Sequence, residues 1–265
     1  MLPPDLPPIS NRALYAYRVL MKWFSFFIFG FSSVILAIAV LPFMRLVFHP
    51  KSRFQKYGRR FISCALRFFV FIMHVLGIVN LEFDNRENYR NLSSKIVVAN
   101  HPSLLDVVML LSLIPNADCI VNAHLNHNIL KGIVSQLYIL NSFKFEDILN
   151  TCAESLSRGN CLIIFPEGTR TPRNGRVILK KGAARIAMAC GCNIVPLHIG
   201  GTDKYGLGKK DPWTGFNPQE RYVYRISMGA TINPEKFRHL PAPAAARVLT
   251  NEIAASLFPP SAHGA

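Results

Sequence analysis

The stretch KIVVANHPSLLD, from Lys95 to Asp106, decides the fold. Residues 95–99 form a short β-branched run without polar alternation, the pattern of a strand covered on both faces of a parallel sheet. Asn100 and His101 break the run. Pro102 fits the first turn of a helix, where its missing N–H has no partner to lose. The apolar residues 104–114 continue that helix. A strand that turns directly into a helix is half of a βαβ unit, and open α/β sheets place their sites at the carboxyl ends of such strands.

The same rhythm continues on the C-terminal side. Strands are expected at 118–121, 161–165, 194–199 and Tyr222–Met228. Helices are expected at 128–137, 146–158, Gly182–Cys190 and 244–257, two of them stopped by Gly159 and Gly191. This alternation predicts an α/β domain over 81–265, with one largely parallel or mixed sheet covered by helices.

The N-terminal side is different. Residues 23–44, WFSFFIFGFSSVILAIAVLPFM, carry no charge between Lys22 and Arg45. About 20 apolar residues in a helix cross a bilayer core. A cleavable signal is the competing reading, because Arg12, Arg18 and Lys22 precede the run and Ala37-Ile38-Ala39 resembles a cleavage site. The run is longer than a usual signal core and continues past that site, so a retained helix is expected. Arg53, Arg60, Arg67 and His74 recur at intervals of seven among Phe61, Phe68, Phe69 and Phe71. Such a basic stripe on an aromatic helix suits a membrane interface; docking on the protein's own acidic groups is the alternative. Residues 1–80 are therefore expected to be a membrane-anchoring helical pair, either spanning or monotopic. The basic linker 45–60 places the following domain on the cytoplasmic face.

Composition agrees with this. Of 265 residues, 50% are hydrophobic and 17% charged, which excludes a disordered or fibrous chain. Thirty Lys and Arg against 15 Asp and Glu leave a net charge of +15, so an anionic partner is expected. Basic and apolar together favour a bilayer with anionic headgroups. Nucleic acid is not an expected partner, because aromatics interleaved with cations on strands are absent. The six cysteines show no CxxC spacing and are expected to be free thiols in a reducing compartment.

Two constellations carry chemistry. In the first, Asp106 stands five residues after His101, within reach of the imidazole. A carboxylate on one ring nitrogen leaves the other as a base. In the second, Phe165-Pro166-Glu167-Gly168-Thr169-Arg170 leaves the same sheet edge after another apolar strand. Gly168 admits close approach of a ligand, and Arg170 offers a fork for phosphate or carboxylate. His124 and His127 have HxxH spacing without an acidic or third ligand, so no metal is expected. Residues 201–221 read either as a surface loop or as a membrane or donor contact. Neither GxGxxG nor a P-loop is present.

Together, NHPSLLD and FPEGTR resemble the HX4D and FPEGTR blocks of the lysophospholipid acyltransferase family, which includes 1-acylglycerol-3-phosphate acyltransferases. Ile194-Val195-Pro196-Leu197-His198-Ile199 resembles that family's VP-containing strand. The resemblance implies that His101 is the catalytic base, that Asp106 orients it, and that Glu167, Gly168, Thr169 and Arg170 bind the acyl acceptor. It implies no cofactor, with acyl-CoA or acyl-acyl carrier protein as co-substrate. Two departures stand out: Asn141 occupies the place of an expected arginine, and Asn122 or a neighbour that of a lysine. Both losses remove cations from an acceptor-phosphate pocket. They point toward a specialised acceptor, as in divergent bacterial members that act in aryl polyene pathways. A non-catalytic lipid carrier is the remaining alternative, and the intact His101–Asp106 pair argues against it.

Overall fold

The computed structural model describes residues 5–122, 138–141, 145–173 and 177–258. The helix expected at 128–137 and the pair His124 and His127 lie outside the described residues. Seven strands form one sheet: β1 (Val79–Phe83), β2 (Ile96–Ala99), β3 (Ala117–Asn122), β4 (Ile139–Asn141), β5 (Cys161–Ile164), β6 (Ile194–Gly201) and β7 (Tyr222–Met228). Their order is β1-β7-β6-β2-β5-β3-β4. The five strands from β6 to β4 are mutually parallel. β7 runs against β6, and β1 runs alongside β7. The sheet is therefore mixed, with β2 at its centre.

β2 explains why a continuous apolar run is needed there. Val97 and Ala99 enter one core, and Ile96 and Val98 enter the other, all without solvent exposure. The first core is shared with α3 (Lys51–Val75) and α5 (Asp106–Leu113). The second is closed by α6 (Phe145–Ser157), α7 (Gly182–Cys190) and α8 (Ala242–Leu257). Each buried Val or Ile side chain contributes roughly 1.5–3 kcal/mol by leaving water. Gly191 ends α7 in the left-handed region at φ 61°. The strands β1 and β4 went unread in the sequence, because VNLEF is half polar and ILN has three residues. A short α4 (Arg86–Arg90) follows β1. α5 starts at Asp106, later than the proline suggests. The Asp106 carboxylate takes the Ser103 N–H at 2.7 Å, and the Ser103 hydroxyl takes the Leu105 N–H at 3.2 Å, so these groups make a turn before the helix.

Residues Arg12–Val47 form one helix of 36 residues, long and apolar enough to cross a membrane. It consists of α1 (Arg12–Ile35), a π-helical turn (Leu36–Val40) and α2 (Leu41–Val47). At 1.5 Å per residue it measures about 54 Å, well beyond the roughly 30 Å of a bilayer core. One side is occupied: Tyr15, Val19, Met21, Phe26 and Phe29 pack on the first core. Lys22 is buried and donates to the carbonyls of Trp213 at 2.7 Å and Gly215 at 2.5 Å. Another side exposes Leu20, Trp23, Phe24, Phe27, Phe31 and Ile38. On α3, Arg53, Arg60 and His74 are exposed and Arg67 is half-buried. Arg59, next to the stripe, is buried in an ion pair with Asp118 of β3 at 2.5 Å. The boundary drawn after residue 80 falls inside β1. The α3 residues Phe69, Val70 and Met73 belong to the sheet's own core.

Candidate active site

The site forms where β2 and β5 end side by side. Asn100 follows β2 and pairs with β6 through its side chain: Nδ2 donates to the Ile199 carbonyl at 2.9 Å, and Oδ1 accepts the Ile199 N–H at 2.7 Å. This amide acts as one more rung of the ladder and fixes where the chain leaves the sheet. The backbone of His101 is held by the turn after β5. Its N–H donates to Glu167 Oε1 at 3.0 Å, and its carbonyl accepts the Thr171 N–H at 2.7 Å. Its ring lies on Phe165, with centroids 4.3 Å apart and planes 27° apart.

His101 Nδ1 is 2.7 Å from Asp106 Oδ2, and Asp106 has no solvent exposure. The same oxygen accepts the Ser103 N–H, and Asp106 Oδ1 accepts the Ser103 hydroxyl at 2.5 Å. A carboxylate only accepts, so Nδ1 carries the proton toward it and Nε2 keeps its lone pair. The spacing of five residues works because the intervening turn folds the carboxylate back under the imidazole.

Glu167 is buried, and burial pushes its carboxyl up from the ordinary range against the pull of Thr171 and His101. Its Oε1 also accepts the Thr171 hydroxyl at 2.7 Å, while Oε2 has no hydrogen-bond partner among the described residues. Glu167 thus holds the backbone of the histidine. Gly168 is exposed at φ 66°, a conformation that disfavours side chains, and Thr169 is exposed beside it. Arg170 Nη1 donates to the carbonyls of Leu207 and Gly208 at 2.9 and 2.8 Å. The backbone N–H of Leu104 reaches the same Leu207 carbonyl at 3.0 Å.

The 201–221 segment is therefore more than a surface loop. Leu207 and Phe216 are buried in the core, and Trp213 is exposed against Trp23 and Phe26. A cleft of about 1080 Å³ opens between this loop and the site, lined by Pro102, Thr169, Arg170, Lys204, Lys209 and Lys210 among others. Asn122 and Asn141 pair in register at the carboxyl ends of β3 and β4, so the two departures lie next to each other on the site edge. Sequence reasoning gave no role to Ser103 and Phe165, which lie inside the two motifs, to Thr171, which follows the second, or to Lys204 and Tyr224, which lie far from both. No group of three or more metal-ligating side chains is found among the described residues.

An open α/β sheet with a histidine–aspartate turn and an FPEGTR turn on one edge defines the class of this protein. The chain matches, over residues 80–200, the family model described as Acyltransferase. It is 29% identical over 179 residues to a chloroplastic 1-acyl-sn-glycerol-3-phosphate acyltransferase of Arabidopsis thaliana, covering 64% of this chain and 48% of that one. It is 31% identical over 146 residues to a 1-acyl-sn-glycerol-3-phosphate acyltransferase of Cocos nucifera, covering 49% and 44%. The chain spans about half the length of the curated relatives it matches. The solved 1-acyl-sn-glycerophosphate acyltransferase PlsC of Thermotoga maritima has the same fold, with a TM-score of 0.65, 20% identity, and coverage of 90% of this chain and 97% of that one.

Proposed function

We propose that the protein is a membrane-bound O-acyltransferase. It moves an acyl chain from acyl-CoA or acyl-acyl carrier protein to a hydroxyl of a lysophosphatidate-like acceptor. The observation that carries this reading is the 2.7 Å pair of His101 Nδ1 with a fully buried Asp106. His101 Nε2, which has no hydrogen-bond partner among the described residues, takes the acceptor's hydroxyl proton as its oxygen attacks the thioester carbonyl. The C–S bond then breaks, and the departing thiolate recovers the proton from the imidazolium. A thioester is already activated, so no covalent enzyme intermediate is needed.

Relatives named as 1-acyl-sn-glycerol-3-phosphate acyltransferases support the acceptor class. The paired Asn122 and Asn141 favour a second reading, in which the acceptor is a specialised lipid whose headgroup needs fewer cations. The exposed aromatic side of α1 and Trp213 supports docking on a bilayer, with the basic residues of α3 near anionic headgroups. The test is a donor-by-acceptor screen of the full chain in detergent, with products read by mass spectrometry and His101→Ala in parallel. Product with the native chain, and a loss of 10²–10⁴-fold in the variant, is the expected result. Equal turnover by both would overturn the mechanism. Product only with phosphate-free acceptors would select the second reading.

A further inference from the structure

We propose that Tyr224, on β7 and outside the matched segment 80–200, is a positioning residue that acts on His101 through Ser103 and Asp106. The inference rests on His101 being the base. Ser103 Oγ has one hydrogen. At 2.5 Å from Asp106 Oδ1, that hydrogen goes to the carboxylate, which cannot donate. Tyr224 Oη lies 2.7 Å from the same Ser103 oxygen and must therefore donate to it. The hydrogen bonds converge on the carboxylate: Tyr224 O–H to Ser103 and Ser103 O–H to Asp106 Oδ1 on one side, His101 Nδ1–H to Asp106 Oδ2 on the other. Ser103, Asp106 and Tyr224 are all without solvent exposure, so water cannot replace a missing donor.

The tyrosine ring is also held in place. Its ring lies beneath the Lys204 ammonium, 4.7 Å from the centroid. That ammonium is itself fixed by carbonyls of Gly200, Thr202 and Val223. Burial and the nearby Asp106 keep the phenol protonated, so it stays a donor. Among the described residues, the charged and titratable groups around the pair are Glu167 from the turn after β5, Lys204 from the loop after β6, and Tyr224 from β7. Removing the phenolic donor weakens the hold on Asp106 Oδ1. The carboxylate then pulls harder on the imidazole proton, and His101 stays protonated to higher pH.

The test is the pH dependence of kcat/KM for the full chain with whichever donor and acceptor the screen identifies. Tyr224→Phe keeps the ring and its packing. It should lower the rate about tenfold on the acid side, move the acid limb to higher pH, and leave the alkaline plateau near the native value. Tyr222→Phe is the control. Its hydroxyl donates to the Tyr205 carbonyl at 2.6 Å, equally buried on the same strand, and among the described residues makes no hydrogen bond to Ser103 or Asp106. That variant should lose stability without moving the limb. Ser103→Ala should move the limb in the same direction and further. An unmoved limb in Tyr224→Phe, or equal movement in Tyr222→Phe, would overturn the proposal. If His101→Ala turns over normally, the mechanism itself falls and the tyrosine has nothing to position. A dead His101→Ala beside an unmoved Tyr224→Phe limb sinks only the present inference.

Discussion

Asp106 accepts three hydrogen bonds through two oxygens, and each donor constrains the imidazole above it. Asp106→Asn replaces one acceptor oxygen by a donor. It should leave the fold intact, lose about 10²–10⁴-fold in kcat, and retain acceptor binding, as steady-state kinetics beside a thermal melt will show. Arg170 is harder to isolate. Its guanidinium holds the Leu207 and Gly208 carbonyls, so it joins the FPEGTR turn to the loop that walls the cleft. Arg170→Ala should raise the acceptor KM more than it lowers kcat, because the wall of the binding cleft is released while His101 keeps its partner. Lysine at the same position should recover little, since one ammonium does not reproduce a planar fork. Unchanged acceptor kinetics in both variants would leave Arg170 with a purely structural part.

At the scale of elements, the ends of β6 and β7 are tied by a buried lysine. Lys204 is lowered to about 8 from 10.5, chiefly by burial, with Asp106, Asp203 and Glu220 opposing the shift. Between about 8 and 10.5 the unfolded chain therefore binds more protons than the folded one, and stability from this group rises with pH. Below about 8 the charged form is buried in full and the penalty is constant. Lys204→Met removes this linkage. The native protein should gain on the variant as pH goes from 7 to 10, on the order of 3 kcal/mol at most, measured by chemical denaturation in detergent. A pH-independent difference would show that the carbonyls around the ammonium already compensate its burial. Lys22 plays a related part between α1 and the 201–221 loop, where it donates to the carbonyls of Gly206, Trp213 and Gly215.

At the scale of the whole molecule, the N-terminal helices and the site share one packed core. Deleting residues 1–80 removes β1's first residues and the α3 side chains Phe69, Val70 and Met73 from the core. The fragment should fail to fold rather than merely detach from lipid, and circular dichroism of the purified fragment distinguishes the two. Charge reversal tests the surface without touching the core. Arg53→Glu with Arg60→Glu alters two exposed residues of α3. Near an anionic bilayer each cation contributes about 1 kcal/mol. The double variant should lose at least tenfold in binding to anionic vesicles and little on neutral ones, and high salt should mimic it. Equal loss on both vesicle types would count against an interfacial role for this helix.

Local chemistry made much of this legible in the sequence. A β-branched run followed by a turn and an apolar helix specifies a covered strand through propensity and period alone, and β2, β5 and β6 lie where that pattern puts them. His101, Asp106 and Glu167 stood in the two quoted turns, because both turns end parallel strands and parallel neighbours share one edge. The tertiary structure decided the rest. Glu167 and Arg170 turn to the protein's own backbone, one to His101 and the other to Leu207 and Gly208, partners 66, 37 and 38 residues away. Half-polar β1 is a strand only because β7 offers it a ladder. Tyr224 reaches Ser103 across 121 residues because β7 runs against β6 and brings its first residues to the site edge. Residue pattern encodes what a segment does with its own neighbours. Which distant groups meet follows from strand order and direction, which local periodicity does not carry.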